Sequence, residues 1–504
     1  MRSTLLPILA GVSVLALAAA ASAANTSVTI NQGANNSNAH DNQAAVDQSQ
    51  ATSSGSNYDA ITINQDGTYD SVGQIYNWGA VAGVNQIGAG TNQTSITQDS
   101  SSNGATAAVT QTAASGNAAN NATVNQGGYS GDATITQTGT SGGTNYATIN
   151  QSNGQYGDGQ QAKILQGQAG GPSYANGATI TQTSAVMYNG QGAQISQDGN
   201  HNNATVNQSG DQAYGLVVQK SSGNSATLTQ QAGGDDATIT QLGSNNQTGG
   251  GLLQTGQQDN MTITQTGSSN TAAVTQNGDS DSLSLEQVAS NNQAYLTQVA
   301  YGDTLTISQT GSNNYVSGTQ SGQYDNVTLA QHASNDVLNF TQTGSSDSTT
   351  TNQAGTDTVN LTQHGDQDAA TLNQNGNGNQ ATVTQTGYQN GVTTNQASNG
   401  SINLTQQNDY DTATLTQNAS GDQVTVTQTG NTDAATTVQA ANGVINLTQN
   451  GSSDTATLTQ MASGEQMTVY QTGNNDTLAV LQTLAGSQLS INQAGYNGSI
   501  SVKQ

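Results

Sequence analysis

The sequence has no cysteine, a single phenylalanine, a single tryptophan and only four Lys or Arg among 504 residues. Without cysteine no disulfide can staple the chain, so something else must hold it together. Four cations stand against 30 carboxylates, for a formal charge of −26. Arg2, Lys163, Lys220 and Lys503 cannot build a phosphate-binding surface, which excludes nucleic acid as a direct partner. An anionic membrane surface is disfavoured for the same reason. Hydrophobic residues make up 32%, against a globular norm of about 45–50%, so a conventional core is not expected. Composition alone would suggest disorder. The apolar residues that are present argue otherwise, because they are β-branched or Leu and fall in register.

One apolar run is long, and it lies at the start. Residues 1–23, MRSTLLPILAGVSVLALAAAASA, carry one basic residue, an apolar stretch from Leu5 to Ala20, and Ala21-Ser22-Ala23. This reads as a Sec-type signal peptide with an A-x-A cleavage site. The stretch is short and ends in small residues, which weakens the alternative of a membrane anchor. No later run approaches the roughly 20 apolar residues needed to span a bilayer, so the mature chain is expected to be exported and not membrane-spanning.

What the sequence has in abundance is one short pattern. Glutamines end successive apolar runs at Gln254, Gln265, Gln276, Gln287, Gln298, Gln309, Gln320, Gln331, Gln342 and Gln353. They continue at Gln363, Gln374, Gln385, Gln396, Gln406, Gln417, Gln428, Gln439, Gln449, Gln460, Gln471, Gln482, Gln493 and Gln504. The step is eleven, except for three steps of ten that end at Gln363, Gln406 and Gln449, within "VNLTQ", "INLTQ" and "INLTQ". Those three recur 43 residues apart, a longer repeat of four arms.

One arm reads [N/D]-x-A-T-[V/I/L]-[T/N]-Q-x-G-x-x. Strand alternation places Asn379, Ala381, Val383 and Gln385 on one face, with Thr382 and Thr384 on the other. Gly267, Gly278, Gly311, Gly344, Gly387, Gly430 and Gly473 stand where the chain must turn. Two arms close a coil of about 22 residues, and each arm pairs with the arm one coil further on. The expected fold is all-β: a two-sheet β-solenoid of about twenty coils. Stacked glutamines would form amide ladders beside a thin seam of Ala, Val, Ile and Leu. Residues 254–504 carry the regular arms. Residues 24–253 carry the same arm less strictly, as "AITINQ", "ATVNQ" and "ATITQ", with spacings of up to 16 taken up in turns such as "GQAGGPSYANG".

The residue five after the ladder glutamine is Asp on one set of alternate arms: Asp281, Asp303, Asp325, Asp347, Asp368, Asp411, Asp433, Asp454 and Asp476, interrupted by Asn390. One coil apart, about 4.8 Å, neighbouring charges repel by about 1 kcal/mol in water and about 3–4 kcal/mol at an effective dielectric of 20. A dry, fully ionised column is untenable. Three arrangements would relieve it. The plainest has the carboxylates capping turns at the coil corner, facing solvent. In the second, divalent cations such as Ca²⁺ bridge successive carboxylates, helped by Asp279 and Asp366. In the third, shared protons ease assembly at low pH. No other cofactor is expected. His40, His201, His332 and His364 are isolated turn residues, and no serine sits in a nucleophile elbow, so the chain does not read as an enzyme.

"QTGSSNTAAVTQ", from Gln265 to Gln276, meets the spacing Q-x-G-x-x-N-x-A-x-x-x-Q position for position, and "QTGNNDTLAVLQ" from Gln471 nearly does. That spacing is the curlin repeat, and the chain resembles the curlin subunits of bacterial curli over almost all of residues 25–504. The resemblance implies an extracellular functional amyloid of the biofilm matrix, active in adhesion and cell aggregation. It also implies export as an unfolded chain through a dedicated secretion channel, with a nucleator and periplasmic assembly factors as partners. This chain departs from the family in its many more coils and in the Asp column where the pattern has Asn. It also has an arm, "NTSVTINQ", directly after the leader. Two rivals share the fold: a monomeric surface adhesin, and an ice-binding protein using outward Thr rows such as Thr382/Thr384 and Thr414/Thr416.

Overall fold

The computed structural model describes residues 16–18, 26–32, 43–51, 59–65, 81–99, 104–128, 131–140, 142–153, 159–167, 174–184 and 191–504. Of the expected leader only Ala16–Ala18 falls among them, and the rest of 1–23 lies outside the described residues. The protein is all-β, a β-solenoid of two parallel sheets with about 18 turns of about 22 residues, against about twenty expected. There is no helix among the described residues, hence none long and apolar enough to cross a membrane. Two compact units divide the chain, Met1–Gln258 and Asp259–Gln504.

In the second unit almost every arm becomes a strand of six residues ending on its glutamine. Asn260–Gln265, Ser282–Gln287 and Thr304–Gln309 begin one sheet; Thr271–Gln276, Gln293–Gln298 and Tyr315–Gln320 begin the other. Pairing is parallel and in exact step: Met261, Ile263 and Gln265 lie beside Leu283, Leu285 and Gln287. Such sheets usually read as unbroken apolar runs because both faces are covered. Here one face of each sheet looks outward, and the strands alternate accordingly. In Gln380–Gln385, Ala381, Val383 and Gln385 are buried while Gln380 and Thr382 are exposed. Asn379 joins the buried set, so the face division expected for this arm is the one observed.

Length variation is absorbed in turns. The arm ending at Gln363 keeps its six-residue strand, Thr358–Gln363, and the step of ten brings Asp357 into its turn one place early. In the first unit the rungs are further apart in sequence: Gln126 to Gln151 is 25 residues and Gln151 to Gln182 is 31. Ladder pairing continues through the turns as well. Ser282 N–H donates to Asp303 C=O and Thr304 N–H to Asp325 C=O, both at 2.8 Å, so backbone groups at the corners are satisfied by the neighbouring coil.

Two departures from the pattern fill the core. Gly318 occupies an apolar position, and a Cβ there would lie 1.9 Å from the ring of Phe340, which pairs with it from the next coil. The only phenylalanine thus uses the space the glycine leaves. Thr351, Thr394 and Thr437, 43 residues apart, stand where other arms have Leu or Val, and they are buried with hydroxyls lacking a hydrogen-bond partner. Thr349 is buried too, but its hydroxyl bridges Gln342 and Gln363 at 3.2 and 2.9 Å. The two kinds of threonine should respond oppositely to an isosteric change. Thr394→Val is expected to stabilise by about 1–3 kcal/mol, by removing an unsatisfied buried hydroxyl. Thr349→Val is expected to destabilise by a similar amount. Urea unfolding of the two variants measures both signs.

Candidate functional site

The ladder glutamines are fixed by their strands, and along the interior of the stack each amide is used twice, as at Gln287 and Gln385. In one sheet Gln265 donates through Nε2 to Oε1 of Gln287 at 2.8 Å, Gln287 to Gln309 at 2.8 Å, and Gln309 to Gln331 at 2.8 Å. The series runs on from Gln331 to Gln482 with rungs of 2.9–3.2 Å. In the other sheet Gln276 begins an equivalent series that reaches Gln493. The second amide proton crosses the seam to a backbone carbonyl at the start of the opposing strand: Gln287 to Thr271 at 3.2 Å, Gln385 to Ala369 at 3.3 Å. This cross-seam bond was not expected from sequence. It ties the two sheets together with a side chain that is 0% exposed.

In the first unit the same ladder runs from Gln126 through Gln151, Gln182, Gln208 and Gln230 to Gln254 at 2.8–3.0 Å. Its members Gln151 and Gln208 were hidden by the irregular spacing, although "ATINQ" and "ATVNQ" mark them. Gln504 does not join. Its side chain is exposed, the pairing of its strand stops at Lys503, and Gln482 Nε2 turns instead to Gln466 C=O and Ser487 Oγ. The expectation of a rung at Gln504 is corrected: the Gln482 amide is spent on Gln466 and Ser487 instead.

The turn glycines have a different cause from the one expected. At Gly267, Gly278, Gly311, Gly344, Gly387, Gly430 and Gly473 an added Cβ would lie 1.2–2.0 Å from a carbonyl oxygen of the next coil. They are glycines because successive backbones touch there. The left-handed position is two residues later and is often not glycine: Ser269, Ser280, Asn313, Tyr324 and Thr432 have φ between 59° and 65°.

The aspartates overturn the solvent-facing arrangement. Asp281, Asp303, Asp325, Asp347, Asp368, Asp411, Asp433, Asp454 and Asp476 are all 0–1% exposed. Each points inward because its Oδ1 accepts the backbone N–H of the equivalent residue one coil on: Asp303 to Asp281, Asp325 to Asp303 and Asp347 to Asp325, all at 3.0 Å. Asn390 keeps the column continuous, donating its N–H to Asp368 at 2.9 Å and accepting from Asp411 at 3.0 Å. Oδ2 of these aspartates makes no hydrogen bond of normal geometry. Burial pushes Asp303, Asp347 and Asp411 up to about 7, and Asp281, Asp325, Asp368 and Asp433 up to about 6. The next coil's N–H opposes that rise without cancelling it, and neighbouring carboxyls add to it at Asp303, Asp347 and Asp411.

A second column lies on the other set of arms and went unread. Asn292 N–H donates to Asn270 Oδ1, Asn314 to Asn292, Asp336 to Asn314 and Asp357 to Asp336, at 2.9–3.0 Å. Its signal was the same offset from the ladder glutamine. No group of three or more His, Cys, Asp or Glu that could hold a metal comes together among the described residues. His332 and His364 meet threonine hydroxyls of the preceding coil, Thr310 and Thr343, and His201 packs edge-on against Tyr174. His40 lies outside the described residues.

No curated protein matches the chain. The Curlin associated repeat family model matches residues 356–387, a stretch that holds the strands Thr358–Gln363, Ala369–Gln374 and Gln380–Gln385 with their three rungs. Curlin-like repeats on a parallel two-sheet β-solenoid point to a structural, non-enzymatic protein.

Proposed function

We propose that the mature chain is a secreted fibre subunit that self-assembles by strand stacking into curli-like amyloid at the cell surface and in the biofilm matrix. The observation that carries this reading is the repetition of one self-complementary contact. Rung after rung from Gln265 to Gln471 donates an amide to the same residue type in the same register one coil away, so a coil of one copy offers to another copy the bonds it makes within the chain. The fibre would serve adhesion and cell aggregation. Its partners would be copies of itself, with a curli-type secretion channel, periplasmic assembly factors and a nucleator handling export and initiation.

The experiment is seeded growth. Protein lacking residues 1–23 is diluted from denaturant and followed by thioflavin fluorescence and electron microscopy, with and without sonicated fragments of its own fibres. Fibres that lengthen, with a lag abolished by seeds, support the proposal. Folded particles of constant length under both conditions would leave the solenoid intact and refute polymerisation.

A further inference from the structure

The aspartate column has a feature the fibre reading does not use. Its backbone bonds need only a neutral oxygen acceptor. Asn390 occupies the column with the same 2.9–3.0 Å bonds as its Asp neighbours, and in the second column Asn270, Asn292, Asn314 and Asp336 follow one another without any change in bonding. Asn and a protonated Asp are near-isosteres, so the site is shaped for an uncharged group. Among the described residues the surroundings offer no cation to balance a charge. Asp303 faces Asp281 and Asp325 from the coils on either side, and Asp279, Asp366 and Asp409 flank the column at its turns. All are acidic, and the one imidazole on that corner, His364, is exposed. Oδ2 is buried with no hydrogen bond of normal geometry at Asp281, Asp303, Asp325, Asp347, Asp368, Asp411, Asp433, Asp454 and Asp476. Turn N–H groups such as those of Gly278 and Gly344 offset the burial only in part, so an ionised carboxylate would be a buried charge incompletely compensated.

We infer that the column is a proton-gated lock on folding: the second unit closes with its column carboxyls protonated and is loosened when they ionise. The sign follows from linkage. An unfolded aspartate gives up its proton near pH 4, whereas in the folded chain Asp281, Asp325, Asp368 and Asp433 hold theirs to about pH 6 and Asp303, Asp347 and Asp411 to about pH 7. Folding therefore takes up protons in this range. The stabilisation is fully present below about pH 4 and is lost as pH rises through 6 to 7. Neutral or alkaline pH would weaken the closed state and acidification would strengthen it, whether or not the chain then polymerises.

The test uses unseeded mature protein, with sedimentation confirming that it is monomeric. Urea unfolding by circular dichroism at pH 5 and pH 8 is combined with a pH-stat measurement of proton uptake on folding at pH 6. The expected result is an equilibrium constant for folding at least tenfold larger at pH 5, with net proton uptake. The variant Asp303→Asn/Asp347→Asn/Asp411→Asn should lose much of both effects. The charge-matched change Asp132→Asn/Asp236→Asn/Glu286→Gln, at exposed strand positions that do not flank the column, should keep them. Folding indifferent to pH between 4 and 8, no proton uptake, or equal behaviour of the two variants would overturn the inference. So would a loss of stability at pH 8 on adding EDTA, which would assign the column to a divalent cation. Should the buried variant fail to fold, proton uptake by the unaltered chain still decides. Failure of fibre growth leaves this test untouched.

Discussion

Gln385→Ala is expected to destabilise the second unit by about 3–5 kcal/mol, the largest effect of any conservative truncation on a strand. Three groups lose their partner at once. Gln363 Nε2 loses the Oε1 it reaches at 3.0 Å, Gln406 Oε1 loses the donor it meets at 3.1 Å, and the Ala369 carbonyl loses its cross-seam proton. Each orphaned buried group costs about 1–3 kcal/mol, and a cavity is left in a seam with no spare side chains to fill it. Because coils contact only their neighbours, the damage stays local in space but divides the stack. Thr382→Ala, three residues from the rung on the exposed face of the same strand, should change stability by less than about 0.5 kcal/mol. Denaturant melts of both variants make the comparison.

Gly344→Ala is the second large effect. The added methyl would sit 1.2 Å from the carbonyl oxygen of Gly365, and the rungs on either side hold the coils at their spacing. The backbone cannot yield at one turn without lengthening hydrogen bonds at several. A loss of about 3 kcal/mol or more is expected, at the upper end for overpacking. Gly391→Ala is the counterpart. There the nearest atom to a new Cβ is Thr412 Cγ2 at 3.8 Å, and no left-handed φ is required. That change should stabilise by about 0.4–1 kcal/mol through the unfolded state. Opposite signs at two glycines less than fifty residues apart would separate close backbone approach from general glycine flexibility.

Much of this architecture was legible because a parallel stack must repeat its own register. Gln385, Val383 and Ala381 face inward as strand alternation requires, and the one-residue shortening before Gln363 falls in a turn because a strand cannot shorten within a ladder. The site was less legible where a residue's cause lies in the next coil. A lone Asp reads as a turn cap facing water. Only the stacked geometry shows that Asp303 turns inward to receive the N–H of Asp325. Gly344 reads as a turn glycine, yet its constraint is an oxygen 21 residues away at Gly365. Thr394, two residues before Gln396, falls on the inward face by alternation, and its polar side chain lies in the register beside Leu372 and Leu415. Composition and spacing report contacts within an arm well. They report contacts between coils only where the same residue recurs, as the glutamines do.

The central claim is that stacking itself is what this chain does. X-ray diffraction from aligned assemblies of the mature protein tests it most directly, read together with their length by electron microscopy. The account predicts fibres many times longer than one molecule, with a meridional reflection at about 4.7–4.8 Å and an equatorial reflection near 10 Å. Assemblies that give no meridional 4.7–4.8 Å reflection, or protein that shows it only as single-molecule particles that never elongate, would contradict it.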